Sequence, residues 1–322
     1  MTIAVVGAGG LVPAKSEQIS IEREDLYISP RLIRVDYLFR NASSADIVAP
    51  ILFPLPEIDA LRQHDDSFVA AINNDDGPAV EVSVMVMGKP VDVLLQQRAY
   101  SRNGDDITER LKTLGLDMLG GHDLNDRLKK LPSNEVSSLK SSGLLEKEGD
   151  YYLPNWVVRG AYQWNQKFQS NSQTKVHIEY APLTGGMAAS MRWSASDRPE
   201  RVESELAFSN NRQEAKAWED SYCFGQDIIT SLAGMPRKFQ EDGPDITVEW
   251  TRYVLLSAVN WAGPIGAFHL TVDKLDADAV IAFCAPDGKS QIKQTGRTTY
   301  EVEIKNFTPS VNFSLMTVTP AK

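Results

Sequence analysis

Four groups of residues in this chain have types or spacings that could do chemistry: a glycine run, four histidines, three acidic pairs and two cysteines. Gly7, Gly9 and Gly10 follow the apolar run Ile3-Ala4-Val5-Val6, as in a dinucleotide-binding turn, where glycine lets the backbone approach a pyrophosphate. That fingerprint needs a third glycine where Val12 stands, and a following helix whose N-terminus holds the anion. Ile19 and Ile21 alternate with Ser20 and Glu22 instead, so the stretch has strand periodicity and no phosphate-holding helix. We expect Val5 and Val6 to lie along a strand or core edge, Gly7 to Gly10 to make a tight bend, and no cofactor to bind there. Gly288-Lys289-Ser290 has Phe283 where the first glycine of G-x-x-x-x-G-K-[ST] would stand, which excludes a P-loop.

His64, His122, His177 and His269 are scattered, and none has the H-x-x-x-H or H-E-x-x-H spacing that sets two ligands on one helix face. His177 and His269 fall on polar faces of alternating segments, where solvated surface histidines are expected, so no metal ligand is assigned. Asp65-Asp66, Asp75-Asp76 and Asp105-Asp106 invite calcium or general acid–base chemistry. Each sits in a turn or at a helix start, where aspartate caps the backbone, and none fits D-x-[DN]-x-[DN]-G. There is no G-x-S-x-G elbow. No catalytic residue is assigned, although a histidine within bonding reach of two carboxylates would favour an enzyme. Cys223 and Cys284 are not in a C-x-x-C pair and fit one disulfide or two buried thiols. Trp261 lies in the turn-rich Asn260-Trp261-Ala262-Gly263-Pro264, where it would plug the end of a sandwich or form a binding loop for a partner. Gly185-Gly186 reads as a loop that uses glycine for its turn.

The elements that must position these residues are mostly strands. Ile33, Val35, Tyr37 and Phe39 oppose Arg34, Asp36 and Arg40, the period-two pattern of a half-buried strand. Val80 to Val86, Trp156 to Phe168, Val176 to Tyr180 and four segments of the C-terminal third repeat it, the last with Val311, Phe313 and Leu315 on one face, separated by Gly, Pro, Asn and Asp. Helical spacing is confined to Asp105 to Leu139 and to Arg212 to Met235, the latter broken near Gly225. The expected fold is mainly β, α+β, with antiparallel sandwich-like sheets. The expected division is an N-terminal β-rich domain 1–104, a helical insertion 105–149, and a C-terminal β-rich domain 150–322 carrying a helical segment 211–235. Shared sheets are an equal possibility.

With 322 residues, 42% of them hydrophobic, the chain has material for a sizeable core. A net charge of -10 without a Lys/Arg cluster argues against nucleic acid and anionic membrane surfaces. No apolar stretch approaches the roughly 20 residues that span a bilayer.

The segment GAGGLVPAKSEQISIEREDLYISPRLIRVDYLFRNAS, followed by ILFPLPEI, resembles the N-terminal part of a bacterial exported family known as domain of unknown function 4424. GKPVDV, RAYSRNGDDITERL, AYQWNQKF, VHIEYAPLTGG and YVLLSAVNWAGPIGAFHLTVDK with AFC extend the resemblance over nearly the whole chain, and NWAGPIGAF is its most specific part. Members carry a secretion signal just upstream of the GAGGLV region, so the resemblance implies a periplasmic or secreted protein whose signal peptide has been removed. In such an oxidising compartment Cys223 and Cys284 would pair, closing a loop of about 60 residues and adding roughly 4 kcal/mol in the chain-entropy model. VDYLFRNASSADIVAPILFPLPEI also resembles part of the vault and inter-alpha-trypsin β-sandwich module, which implies a fold and no reaction. The expected role is a non-enzymatic binding or structural module of the envelope with a protein or glycan partner; the alternative is an exported hydrolase or metal-dependent enzyme built from dispersed residues.

Overall fold

The computed structural model describes residues 1–320 except 8–9, 62–79, 121–122, 190–195, 197, 199–200, 202–211 and 236–245. The strands in chain order are β1 Thr2–Gly7, β2 Gly10–Pro13, β3 Ile19–Ile28, β4 Ile33–Asn41, β5 Ile47–Pro54, β6 Ile58–Asp59, β7 Val82–Val86, β8 Lys89–Pro90, β9 Leu94–Ser101, β10 Leu145–Glu148, β11 Tyr151–Pro154, β12 Trp156–Phe168, β13 Gln173–Tyr180, β14 Thr184–Ala189, β15 Ile246–Tyr253, β16 Ile265–Asp273, β17 Val280–Ala282, β18 Lys293–Gln294, β19 Thr299–Phe307 and β20 Phe313–Pro320. The helices are α1 Thr108–Thr113, α2 Leu124–Lys130, α3 Ser133–Ser141, α4 Arg212–Tyr222 and α5 Gln226–Ala233, and a short 3-10 helix spans Leu256–Asn260.

The alternating segments build two sheets that pack face to face. An eight-stranded sheet runs β18-β19-β16-β3-β4-β13-β7-β8, and a six-stranded one runs β2-β1-β5-β12-β6 with β9 also on β12. Inward residues of the two sheets interdigitate: Phe39 meets Phe168 at 5.7 Å and Phe53 meets Tyr180 at 5.5 Å between ring centroids. Each fully buried ring of this kind contributes about 1.5–3 kcal/mol of apolar transfer, which fixes the inward faces. Strands from both sides of residues 105–149 are hydrogen-bonded in both sheets. Most neighbours are antiparallel, but β3 and β16 pair in parallel, so the long-range pairing of Ile19–Ile28 with Ile265–Asp273 stitches the two halves together.

A four-stranded sheet, β14-β15-β20-β17, buries Ile246, Val248, Met316 and Val318 with Tyr222, Phe224, Ile229 and Leu232 of the α4–α5 region. Both faces of β20 carry buried side chains because one serves this cluster and the other the main core. Helix α4 ends before Gly225 and α5 begins after it, at the break expected from the sequence. In the insertion, Leu111, Leu124, Leu128 and Leu139 are buried against the main core. Asp106 Oδ1 accepts the Thr108 amide and Asp105 Oδ2 accepts from the Ser101 hydroxyl, so the acidic pair serves the turn before α1, whose N-cap residue is Ile107 and carries no side-chain cap.

Two sequence expectations change. Gly185 and Gly186 lie inside β14 rather than in a turn. Gly185 faces Trp250 across the ladder, and a Cβ there would come within 1.9 Å of the indole Nε1, so the glycine makes room for a ring. Val311 precedes β20 and is exposed instead of continuing the inward face of Phe313 and Leu315.

The opening segment is a hairpin: Gly7 pairs with Gly10, and Val5 and Val12 oppose each other. No helix starts between Gly9 and Ala14 among the described residues, so a helix N-terminus that would hold a phosphate is missing there. β1 pairs with β5 only through Thr2–Leu52 and Ile3–Ile51. Leu55 donates its amide to Gly160 on β12, so by alternation Pro50 faces β1, and it has no amide to donate. The ladder stops there, and the rest of the hairpin projects with Val6 83% exposed.

Candidate functional site

The chemically unusual group of this fold is Glu24, a carboxyl in the main core at 1% exposure. β3 begins with Ile19 and Ile21 pointing inward, and strict alternation would carry Arg23 and Asp25 in with them. A bulge between Ile21 and Arg23 shifts the register by one residue, so Glu24, Leu26 and Ile28 point inward. The bulge is seated on β16: a Cβ on Gly266 would lie 2.7 Å from the Glu22 carbonyl oxygen, so only glycine lets the strands approach this closely. Thus a glycine of NWAGPIGAF holds the geometry that buries the acid.

Around Glu24 the core supplies hydroxyls. Tyr253 Oη donates to Glu24 Oε1 at 3.4 Å, and the Tyr37 and Tyr253 hydroxyls share a hydrogen bond of 2.7 Å. Glu24 Oε2 has no hydrogen-bond partner among the described residues. Burial pushes the Glu24 carboxyl up to about 7, against the opposing pull of the Met1 amino group and the tyrosine hydroxyls. The Met1 amino group is itself pulled down to about 5 by burial and donates to Ser257 Oγ at 2.7 Å. Burial also lifts Tyr37 and Tyr253 well above the ordinary phenol range. Glu24 is thus a neutral, hydrogen-bonded acid in mildly acidic conditions, buried from solvent.

Residues around NWAGPIGAF close this cluster at one end. Trp261 Nε1 donates to the Met1 carbonyl at 2.8 Å, and its ring packs on Phe39 at 4.7 Å and Phe168 at 6.0 Å. Trp261 is 3% exposed, and its side chain fills the end of the sandwich. The Ala262 amide donates to Ile19, and the Ser16 amide to Asn260, which ties the start of β3 to the same loop.

The outward row next to Glu24 holds two of the histidines. His177, Asp36, Asp25 and His269 are direct cross-strand neighbours on β13, β4, β3 and β16. His177 Nδ1 lies 2.8 Å from Asp36, while its Nε2 is 3.8 Å from Glu179. His269 stands 3.7 Å from both Asp25 and Glu301. Neither histidine therefore has two carboxylates at hydrogen-bond length. Asp25 is also taken by Arg23 at 2.6 Å. The row alternates histidines and carboxylates on a partly exposed face, and no group of three or more His, Cys, Asp or Glu suited to a metal occurs among the described residues. His64, His122, Asp65-Asp66 and Asp75-Asp76 lie outside those residues.

Cys223 and Cys284 form a disulfide that joins the end of α4 to the segment after β17. Glu24, Tyr37 and Tyr253 were not expected as a group. One signal for Glu24 is legible in hindsight: apolar residues at 19 and 21, then at 26 and 28, change phase within one strand, which requires a bulge. Nothing local brings Tyr253 to it.

Comparison with known proteins adds a family and no activity. No curated protein matches the chain. A Legionella pneumophila protein provisionally described as nutrient-binding aligns over 96% of this chain and 69% of its own, at 13% identity and a TM-score of 0.45. Yeast LTA4 hydrolase aligns over 94% of this chain and 29% of its own, at 8% identity and a TM-score of 0.32. The M1 zinc metallopeptidase of Deinococcus radiodurans aligns over 94% and 43%, at 6% identity and a TM-score of 0.29. These scores are too low to transfer a fold or a function. The family described as a domain of unknown function (DUF4424) matches residues 2–316, which includes the bulge, the buried acid and the loop that closes it, and the chain belongs to that family.

Proposed function

We propose that the protein is an exported, non-catalytic module of the bacterial envelope that binds a protein or glycan partner through loops at the ends of its sandwich. The observation that supports this most is the Cys223–Cys284 disulfide. Cys223 is exposed, and an accessible disulfide persists in an oxidising compartment, whereas cytosolic thiols reduce it. The polar clusters fit a role without turnover. Glu24 is buried, and the outward histidine row has one hydrogen bond to a carboxylate, His177 to Asp36, with His269 no nearer than 3.7 Å to its carboxylates.

The test is to express the gene with its native upstream region, fractionate the cells, and alkylate free thiols before and after reduction. The expected outcome is a periplasmic or secreted protein with no free thiol until reductant is added. A cytosolic protein with two free thiols would overturn export. Hydrolysis of ester, peptide or glycoside substrates that disappears on substituting His177 or His269 would overturn the non-catalytic role.

A further inference from the structure

A bulge, a bare glycine and two tyrosine hydroxyls bring one carboxyl into the core, and one of its oxygens still lacks a partner. A leucine at this inward position would satisfy the sheet without that desolvation cost. Among the described residues, the titratable groups facing Glu24 from other elements are the Met1 amino group just before β1, Tyr37 from β4 and Tyr253 from β15. Tyr180 of β13 acts on both tyrosines, Asp25 is the neighbour along β3, and the β16 neighbour is the uncharged Phe268. Among the described residues, the groups that act most strongly on Glu24 include no lysine or arginine, and the cationic one is the Met1 amino group. An ionised Glu24 would leave a charged oxygen unsatisfied, and β1, next to it, is joined to the main sheet through a ladder to β5 of two residue pairs.

We propose that Glu24 is a proton-operated latch: the clasp between β1 and the Leu256–Gly266 segment is closed while the carboxyl carries its proton and loosens when it ionises. The inference does not depend on a partner. Burial supports it, since it holds the Glu24 carboxyl up at about 7 in the fold against an ordinary value of 4.5. A carboxyl whose folded pKa is raised keeps its full stabilising effect below the unfolded value, and that effect is lost as pH rises towards the folded one. The Met1 amino group, shifted down, titrates with the opposite sign, so wild type is compared with Glu24→Gln at each pH.

The experiment is hydrogen exchange of β1, corrected for intrinsic rates, and thermal unfolding of wild type and Glu24→Gln from about pH 4.5 to about pH 8. The melting temperatures should coincide at the acid end, and the glutamine variant should melt several degrees higher at the alkaline end. Wild type should lose at least about tenfold more β1 protection than the variant over the same range. A melting-temperature gap that does not vary with pH, or equal loss of β1 protection in both proteins, would overturn the latch. Should the variant fail to fold, carboxyl NMR titration of wild type decides: a Glu24 midpoint near 7 supports the proposal, and one near 4.5 overturns it.

Discussion

Gly266 and Glu22 meet so closely across β16 and β3 that a Cβ on the glycine would stand 2.7 Å from the Glu22 carbonyl oxygen. The contact is backbone against backbone, so a flexible side chain cannot move aside to relieve it. Gly266→Ala should therefore destabilise by about 2 kcal/mol through overpacking at the bulge. Gly263 is the control: it has φ +73 with open space where its Cβ would be, so alanine there meets backbone strain alone and costs about 1 kcal/mol. Urea unfolding of the two variants checks the difference. Equal losses would mean that the close approach is not what Gly266 supplies.

The hydroxyl of Tyr253 donates to Glu24 and so favours its ionised form. Tyr253→Phe keeps the ring against Phe53 and removes that donor. The Glu24 carboxyl should then titrate at still higher pH. The range over which stability is lost relative to Tyr253→Phe/Glu24→Gln should move upward, as followed by thermal melts in a pH series. An unchanged range would show that the hydroxyl pair has no electrostatic effect on the acid.

The disulfide closes a separation of 61 residues, which the chain-entropy model values at about 4 kcal/mol. The double substitution Cys223→Ser/Cys284→Ser should lower unfolding stability by an amount of that order in guanidinium titrations. Exchange protection should fall first in α4 and α5, because the bond ties that helical layer to the segment after β17. A loss spread evenly over the main core would contradict the assignment of the bond to this layer.

Trp261 serves the core twice, through its ring and through the Nε1 hydrogen bond to Met1. Trp261→Phe should cost about 1 kcal/mol for the lost hydrogen bond, and Trp261→Ala about 3–5 kcal/mol for the cavity. The fluorescence lost in Trp261→Phe relative to wild type should be blue-shifted and resistant to iodide. A readily quenched component would place the ring at the surface.

The outward ladder should be nearly silent. His177→Ala and Asp36→Asn each remove one partly exposed pair, and exposed pairs contribute about 0–1 kcal/mol. Added zinc should shift the melting temperature of wild type no more than that of His177→Ala/His269→Ala, measured side by side. A larger shift in wild type would show that the ladder holds metal.

Local pattern was enough for much of this molecule. The period-two alternation of Ile33 to Phe39, Trp156 to Phe168 and Val176 to Tyr180 determined which faces are buried, because a strand's side chains alternate whatever it pairs with. The break between α4 and α5 at Gly225 and the hairpin at Gly7 to Gly10 follow from short-range backbone preference in the same way. Tertiary structure alone decided that β3 lies beside β16 and that Gly185 is bare to admit Trp250. It also decided that Glu24 points at Tyr253, 229 residues away in sequence. Periodicity is a property of a few consecutive residues, whereas the phase of β3 is set by a bulge held against Gly266. The charge state of Glu24 is set by everything that excludes water from it, and no window of sequence contains those neighbours.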